Sequence, residues 1–275
     1  MKKLSLIFLL TFFIAMPIMA QDNDSDEDAA TLAELIDMTA DSGADEALDD
    51  LIANPEIRLD ALKQAALSYG ARGGLAKRTE EIRDTMYQKS DVLDKIYDFK
   101  RLLIPAASGL LIEPPIISQG QDALLIEAGG QTAAVADTIY NINRNARIVS
   151  SARNWRAYLE REWGKVELPP QILFPQTAKE RAVWIEYLGK GWNEGQKQAD
   201  EIFQADLNKM IADYTGMIRY RKLLAQGIVS APFAMQVDRG VTGGGDEMRV
   251  GDRAVKITGP SQLMTEAYEW QPESR

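Results

Sequence analysis

The 275-residue chain contains neither cysteine nor histidine. Without them there is no disulfide, no thiol nucleophile, no Ser-His-Asp triad and no histidine-ligated zinc or haem. Catalysis would fall to carboxylates, lysine or tyrosine, or to a hard cation held by oxygen. No cofactor and no metal are expected. Basic residues are also short, with 31 Lys and Arg against 41 Asp and Glu and a formal net charge of -10. Phosphate backbones are bound by basic patches, so direct nucleic acid binding is discounted. Long apolar runs are confined to the start. Lys2 and Lys3 precede apolar residues 4–14 and the segment Pro17-Ile18-Met19-Ala20, the layout of a cleavable secretory signal peptide over 1–20. About 17 apolar residues ending in a proline are short for a membrane anchor. Cleavage after Ala20 removes two lysines and no acid, taking the charge from -10 to -12.

What the chain does have is a long helix. From 177 to 228, apolar residues recur at steps of three and four, among them Trp184, Leu188, Trp192, Ala199, Phe203, Leu207, Met210, Tyr214, Met217 and Leu224. They form one stripe of a helix of about 50 residues, about 75 Å long, which must be covered. Thr177 with Glu180 makes a capping box, and Ala231-Pro232 closes the far end. Trp184 and Trp192 read as core. Gly191 and Gly195, four apart among charges, predict close crossing by another element of the same fold.

Residues 21–30 are too acidic to bury and read as a disordered tether. A calcium loop there would need glycine where Glu27 stands and glutamate where Ala33 stands. Residues 31–275 read as a single mixed domain. Thr31 with Glu34 opens a short helix, and Asn54-Pro55 opens another that runs to Gly70. Gly70, Gly73 and Gly74 would each cost a helix about 1 kcal/mol relative to alanine, so they serve a turn or a close approach of two backbones. Arg72, Lys77 and Arg78 then sit on that turn as a contact for an anion or a partner, or as an ordinary solvated basic patch. Residues 91–104 lean to strand. Runs at 110–118, 123–127, 131–141 and 146–150 read as a small antiparallel meander, with Pro114 and Pro115 at an edge or bend where a partner strand can add. Phe233 to Val241 reads as a strand, Gly243-Gly244-Gly245 as a flexible turn, and 246–258 as a C-terminal hairpin about Gly251-Asp252. Residues 262–275 show little pattern and read as a tail. The fold class is α+β: a long amphipathic helix and shorter helices packed with a small meander and a hairpin.

The segments Tyr69-Gly70-Ala71-Arg72-Gly73-Gly74-Leu75-Ala76-Lys77-Arg78, Glu113-Pro114-Pro115, Arg153-Asn154-Trp155-Arg156-Ala157-Tyr158-Leu159 and Tyr220-Arg221-Lys222-Leu223-Leu224-Ala225-Gln226 resemble the DotC family. So do Gly191-Trp192, Gly240-Val241-Thr242-Gly243 and Gly251-Asp252-Arg253. DotC and its plasmid relative TraI are outer-membrane-associated components of type IVB, Dot/Icm-like secretion and conjugation machines. The resemblance runs from about residue 55 to residue 258 and implies a periplasmic core-complex subunit beside DotD-like and DotH-like proteins. It implies many copies in a large ring-shaped complex and a role in bringing the DotH-like subunit to the outer membrane. Family members are typically acylated on a cysteine at the mature amino terminus. This chain has Gln21 there and no cysteine, so it cannot be lipidated that way, and a lipidated DotD-like partner would have to hold it at the membrane.

The leading expectation is thus a non-enzymatic structural subunit. Two other classes stand beside it. One is a periplasmic hydrolase using a carboxylate pair drawn from Glu160, Glu162 and Glu186, which must lie about 5–10 Å apart across a cleft. The other is a soluble periplasmic chaperone or binding protein.

Overall fold

The computed structural model describes residues 28–39, 55–106, 109–126 and 133–270. The expected signal peptide and most of the expected tether lie outside the described residues. Five helices occur among them: α1 (Leu32–Met38), α2 (Pro55–Gln88), α3 (Ser90–Ile96), α4 (Arg156–Leu159) and α5 (Ala178–Ala225). None is long and apolar enough to cross a membrane.

The 48-residue α5 realises the predicted long helix. Thr177 Oγ1 accepts from the Glu180 amide at 3.2 Å, while the Glu180 carboxylate reaches back to the Gln176 amide at 2.9 Å. The far end comes three residues before the expected 228. Gly227 adopts φ +72°, and the Ile228 amide bonds back to the Leu223 carbonyl at 2.9 Å. A glycine in left-handed geometry therefore stops the helix before the Ala231-Pro232 pair is reached.

Against α5 lies α2, and here the expected break at Gly70 is corrected. The helix runs unbroken through all three glycines to Gln88. A Cβ at Gly70 or Gly74 would come closer than 3.0 Å to the carbonyl oxygen of Leu188 or Trp192 on α5. In the reverse direction, a Cβ at Gly191 or Gly195 would come as close to the carbonyl oxygen of Leu67 or Ala71 on α2. The glycines interleave, so the two backbones touch directly. That approach offsets their helix-breaking cost. Arg58 pairs with Glu180 at 2.9 Å and Arg78 with Asp200 at 2.9 Å, both 122 residues apart. A constant offset means that the helices run parallel, so the chain must cross back between them.

The crossover carries the β structure. A three-stranded antiparallel sheet joins β1 (Ile104–Pro105), β2 (Leu111–Glu113) and β5 (Arg147–Val149) in that order. Between β2 and β5 the chain leaves as a ribbon of β3 (Ile116–Ile126) and β4 (Ala133–Arg144). The expected separator at 119–122 is part of β3. The expected strand over 91–104 is corrected too: α3 and a 3-10 turn at Phe99–Leu102 occupy it, and only Ile104–Pro105 is extended. Phe99 and Leu102 are both buried, three apart, and that spacing suits a three-residue turn.

After α5 a second ribbon pairs β6 (Phe233–Gly244) with β7 (Glu247–Gly259). Its turn falls at the predicted glycine run, with Gly245 at φ +62°. The expected turn at Gly251-Asp252 is corrected. Gly251, at φ +73°, is passed over between the Gly240–Asp252 and Val241–Val250 pairs, so its positive φ belongs to a bulge. The expected tail docks instead of trailing: the Met264 amide bonds to the Ile228 carbonyl at 2.8 Å, and Val229 bridges Leu263.

Three buried clusters line up along α5. Trp184, Leu188 and Trp192 pack with Leu35, Leu62 and Tyr69. Met210 and Met217 pack with Phe99, Ile116 and Trp155. Tyr220 and Leu223 pack with Ile117 and Val229. The tryptophans are core, as their spacing predicts.

Candidate assembly surfaces

The five expected contact residues fall in different settings. Arg72 is exposed on α2, with Nε reaching only the Ser68 carbonyl of its own helix at 3.4 Å. Lys77 pairs with Glu80 at 2.7 Å, and Glu80 also accepts from the Ala29 amide at 3.1 Å. Arg78 pairs with Glu81 and with Asp200 across the helix interface. Lys77 and Arg78 are thus committed within the chain, which leaves Arg72 as the one of the three facing solvent. Pro114 and Pro115 are buried at the corner between β2 and β3. No free edge is offered there, because β2 is the central strand of its sheet.

The corner encloses a charged network. Glu113 is 3% exposed and accepts from Arg147 at 3.0 Å and from Arg153. Arg153 also donates to Asp213 at 2.9 Å and to the Tyr158 hydroxyl, and Tyr158 donates to Asp213 at 2.7 Å. Arg144 completes the set at 3.0 Å from Asp213. Burial pushes the Tyr158 hydroxyl up to about 12, with Asp213 adding to the rise. Burial alone would lower the Arg153 value, but the Tyr158 hydroxyl and the Glu113 carboxylate hold it above the ordinary one. The network ties β2, β5, the segment before α4, and α5 into one unit. Two of the segments that carry the family resemblance, around Glu113 and Arg153, meet in it; its partner Asp213 was not singled out from sequence.

The carboxylates considered for hydrolysis do not form such a set. Glu160 accepts from the Tyr87 hydroxyl on the exposed stretch after α4, Glu162 is exposed beside it, and Glu186 pairs with Lys190 at 2.6 Å on the α5 surface. Among the described residues no group of acids is arranged to hold a metal ion.

The two ribbons carry the exposed apolar surface. Each is a two-stranded sheet of its own, so among the described residues no further strand pairs with its outer edges. Isolated two-stranded ribbons are marginal in water. On β6–β7, Val241 faces Val250 and Gly243 faces Met248, and alternation puts these two pairs on one face. Val241, Met248 and Val250 are 62%, 72% and 74% exposed, forming an apolar tip open to solvent. Phe233, Met235 and Val237, also exposed, line the root of β6 at every second position. Residues 233–259 hold four acids and four bases, a formal charge of zero in a chain of -10. The ribbon's signal was present in sequence as valines placed evenly about the glycine turn.

A family model described as type IV secretory system, conjugal DNA-protein transfer, matches residues 56–272. The match begins at the second residue of α2 and extends past the β6–β7 ribbon. Comparison with curated proteins finds no match.

Proposed function

The chain belongs to the type IV secretory system, conjugal DNA-protein transfer family, and on that premise we propose that it is a non-enzymatic structural subunit of the outer-membrane core complex of a type IVB apparatus. In this reading it acts in the periplasm after export. Several copies sit in a ring-shaped assembly beside DotD-like and DotH-like proteins, and the chain helps to place the DotH-like subunit at the outer membrane. A lipidated DotD-like neighbour supplies the membrane attachment, because the chain has no cysteine to acylate.

The observation that carries a structural role is the β6–β7 ribbon, a two-stranded sheet with an exposed apolar tip that follows the end of α5. Strand addition to an open edge supplies main-chain hydrogen bonds, and apolar tip residues supply anchors for a neighbouring subunit. The test is affinity purification of the tagged protein from detergent-solubilised envelopes of its host, with sizing and mass spectrometry. The expected result is a megadalton assembly holding DotD-like and DotH-like proteins, lost in the double variant Val241→Asp/Val250→Asp with no change in melting temperature. A free protein of its own mass would overturn the reading.

A further inference from the structure

A cleft of about 280 Å3 lies between α5 and the root of the β3–β4 ribbon. We propose that it binds an acidic side chain carried on a polypeptide. The inference rests on the subunit reading for its biological sense and names the chemistry of one subunit contact.

Two guanidinium groups line the cleft, those of Arg144 and Arg219. Arg219 is held by neutral acceptors: Nε donates to Gln119 Oε1 at 3.1 Å and Nη1 to the Ile117 carbonyl at 2.6 Å. Among the described residues no carboxylate pairs with it, so its charge is fixed in place and uncompensated. Arg144 shares its acceptor, Asp213 Oδ2, with Arg153 and Tyr158. Of the residues that line the cleft, two are arginines (144 and 219) and one is a carboxylate (Asp213). That local excess of positive charge lies in a chain of net charge -10.

The remaining lining selects the anion. A guanidinium presents a planar fork that matches a carboxylate. Asp213 on the same wall opposes a dianion more than a monoanion. Ser118 Oγ donates to Asn143 Oδ1 at 2.9 Å, which leaves the Asn143 amide group as a further donor. At about 30 Å3 per water the volume holds roughly nine waters, enough for a side chain and its flanking backbone.

The probe is fluorescein-labelled tetraglutamate, titrated against the purified full chain by anisotropy, with labelled tetraglutamine and inorganic phosphate as comparison arms. Tetraglutamate should bind, tetraglutamine should not, and phosphate should not displace the peptide at equal concentration. Arg219→Gln should weaken binding by about tenfold or more, as expected for loss of a charge-assisted hydrogen bond. Thr215→Trp keeps Arg219 but fills the cleft, and should weaken binding equally. Unchanged binding in Thr215→Trp, equal binding of tetraglutamine, or displacement by equimolar phosphate would each overturn the assignment. The outcomes separate from the subunit reading: tetraglutamate binding by a protein that is free in the envelope would remove only the assembly role.

Discussion

Gly189 and Gly191 lie two residues apart on α5, yet alanine at each should change stability with opposite sign. At Gly189 a Cβ meets nothing within 4 Å. The substitution should stabilise by about 0.8 kcal/mol, the ordinary helix-propensity difference. At Gly191 the same Cβ would come closer than 3.0 Å to the Leu67 carbonyl oxygen and lie 3.0 Å from the Ala71 nitrogen, both backbone atoms of α2 that cannot rotate away. Restoring ordinary separation parts the helices by about 1 Å, which forfeits roughly a quarter to a half of the dispersion well for each contact opened. Leu62, Tyr69, Trp184 and Leu188 are at most 1% exposed at this crossing. Each buried side chain of this kind is worth about 2 kcal/mol, so losing a quarter across the four costs about 2 kcal/mol before strain. Alanine's propensity returns about 1 kcal/mol, while overpacking strain adds about 1–3. The net expectation for Gly191→Ala is destabilisation by about 2–4 kcal/mol. Urea unfolding of both variants checks it through the midpoint at unchanged slope. A Gly191→Ala midpoint at or above that of the parent would refute the claim that the backbones touch.

Three further expectations follow from the charged contacts. Arg153→Met leaves Glu113 and Asp213 without their shared partner and should cost about 3–5 kcal/mol, whereas Arg147→Ala removes a half-exposed partner and should cost under about 1 kcal/mol by the same urea measurement. Burial alone would raise the Glu180 value, but Arg58 and the backbone amides of Gln176 and Thr177 hold it below the ordinary 4.5. A depressed carboxyl stabilises the fold above its unfolded value and loses that contribution as pH falls through the folded one. Stability should therefore drop below pH 4.5, and less steeply in Glu180→Gln, when unfolding midpoints are compared at several pH values. Arg72→Glu should leave the melting temperature unchanged and reduce co-purification of partner subunits. Arg78→Glu, facing Asp200 and Glu81, should lower the melting temperature as well; equal lowering by both would make Arg72 structural.

Family membership and the exposed ribbon tip bear on one another. Val241 lies within Gly240-Val241-Thr242-Gly243, a segment that carries the resemblance, and Val250 immediately precedes another, Gly251-Asp252-Arg253. Apolar side chains so exposed contribute nothing to this chain's own core. A partner would give them one.

The sequence by itself determined the features written in local period and punctuation. The stripe from Trp184 to Leu224 specifies α5, since only a 3.6-residue repeat gathers those residues on one face. Thr31 and Glu34 realise their capping box at 2.6 and 3.4 Å, and the glycine run after Val241 places the ribbon turn. The lack of cysteine and histidine limited the chemistry without any structure. What only the tertiary structure decided depends on partners far along the chain. Gly70, Gly73 and Gly74 fit a turn or a close approach of two backbones, and only the arrival of α5, with Gly191 and Gly195 facing Leu67 and Ala71, decides for the approach. Pro114 and Pro115 fit an edge or a bend, and the fold makes them a buried bend between β2, the central strand of its sheet, and β3. Arg78 looks free until the parallel register sets Asp200 opposite it, and Arg219 comes to rest on the neutral acceptors Gln119 and Ile117 only when β3 docks on α5. Periodicity says which face of an element is buried; the element that buries it, and the charges it brings, are fixed by packing across more than a hundred residues of sequence.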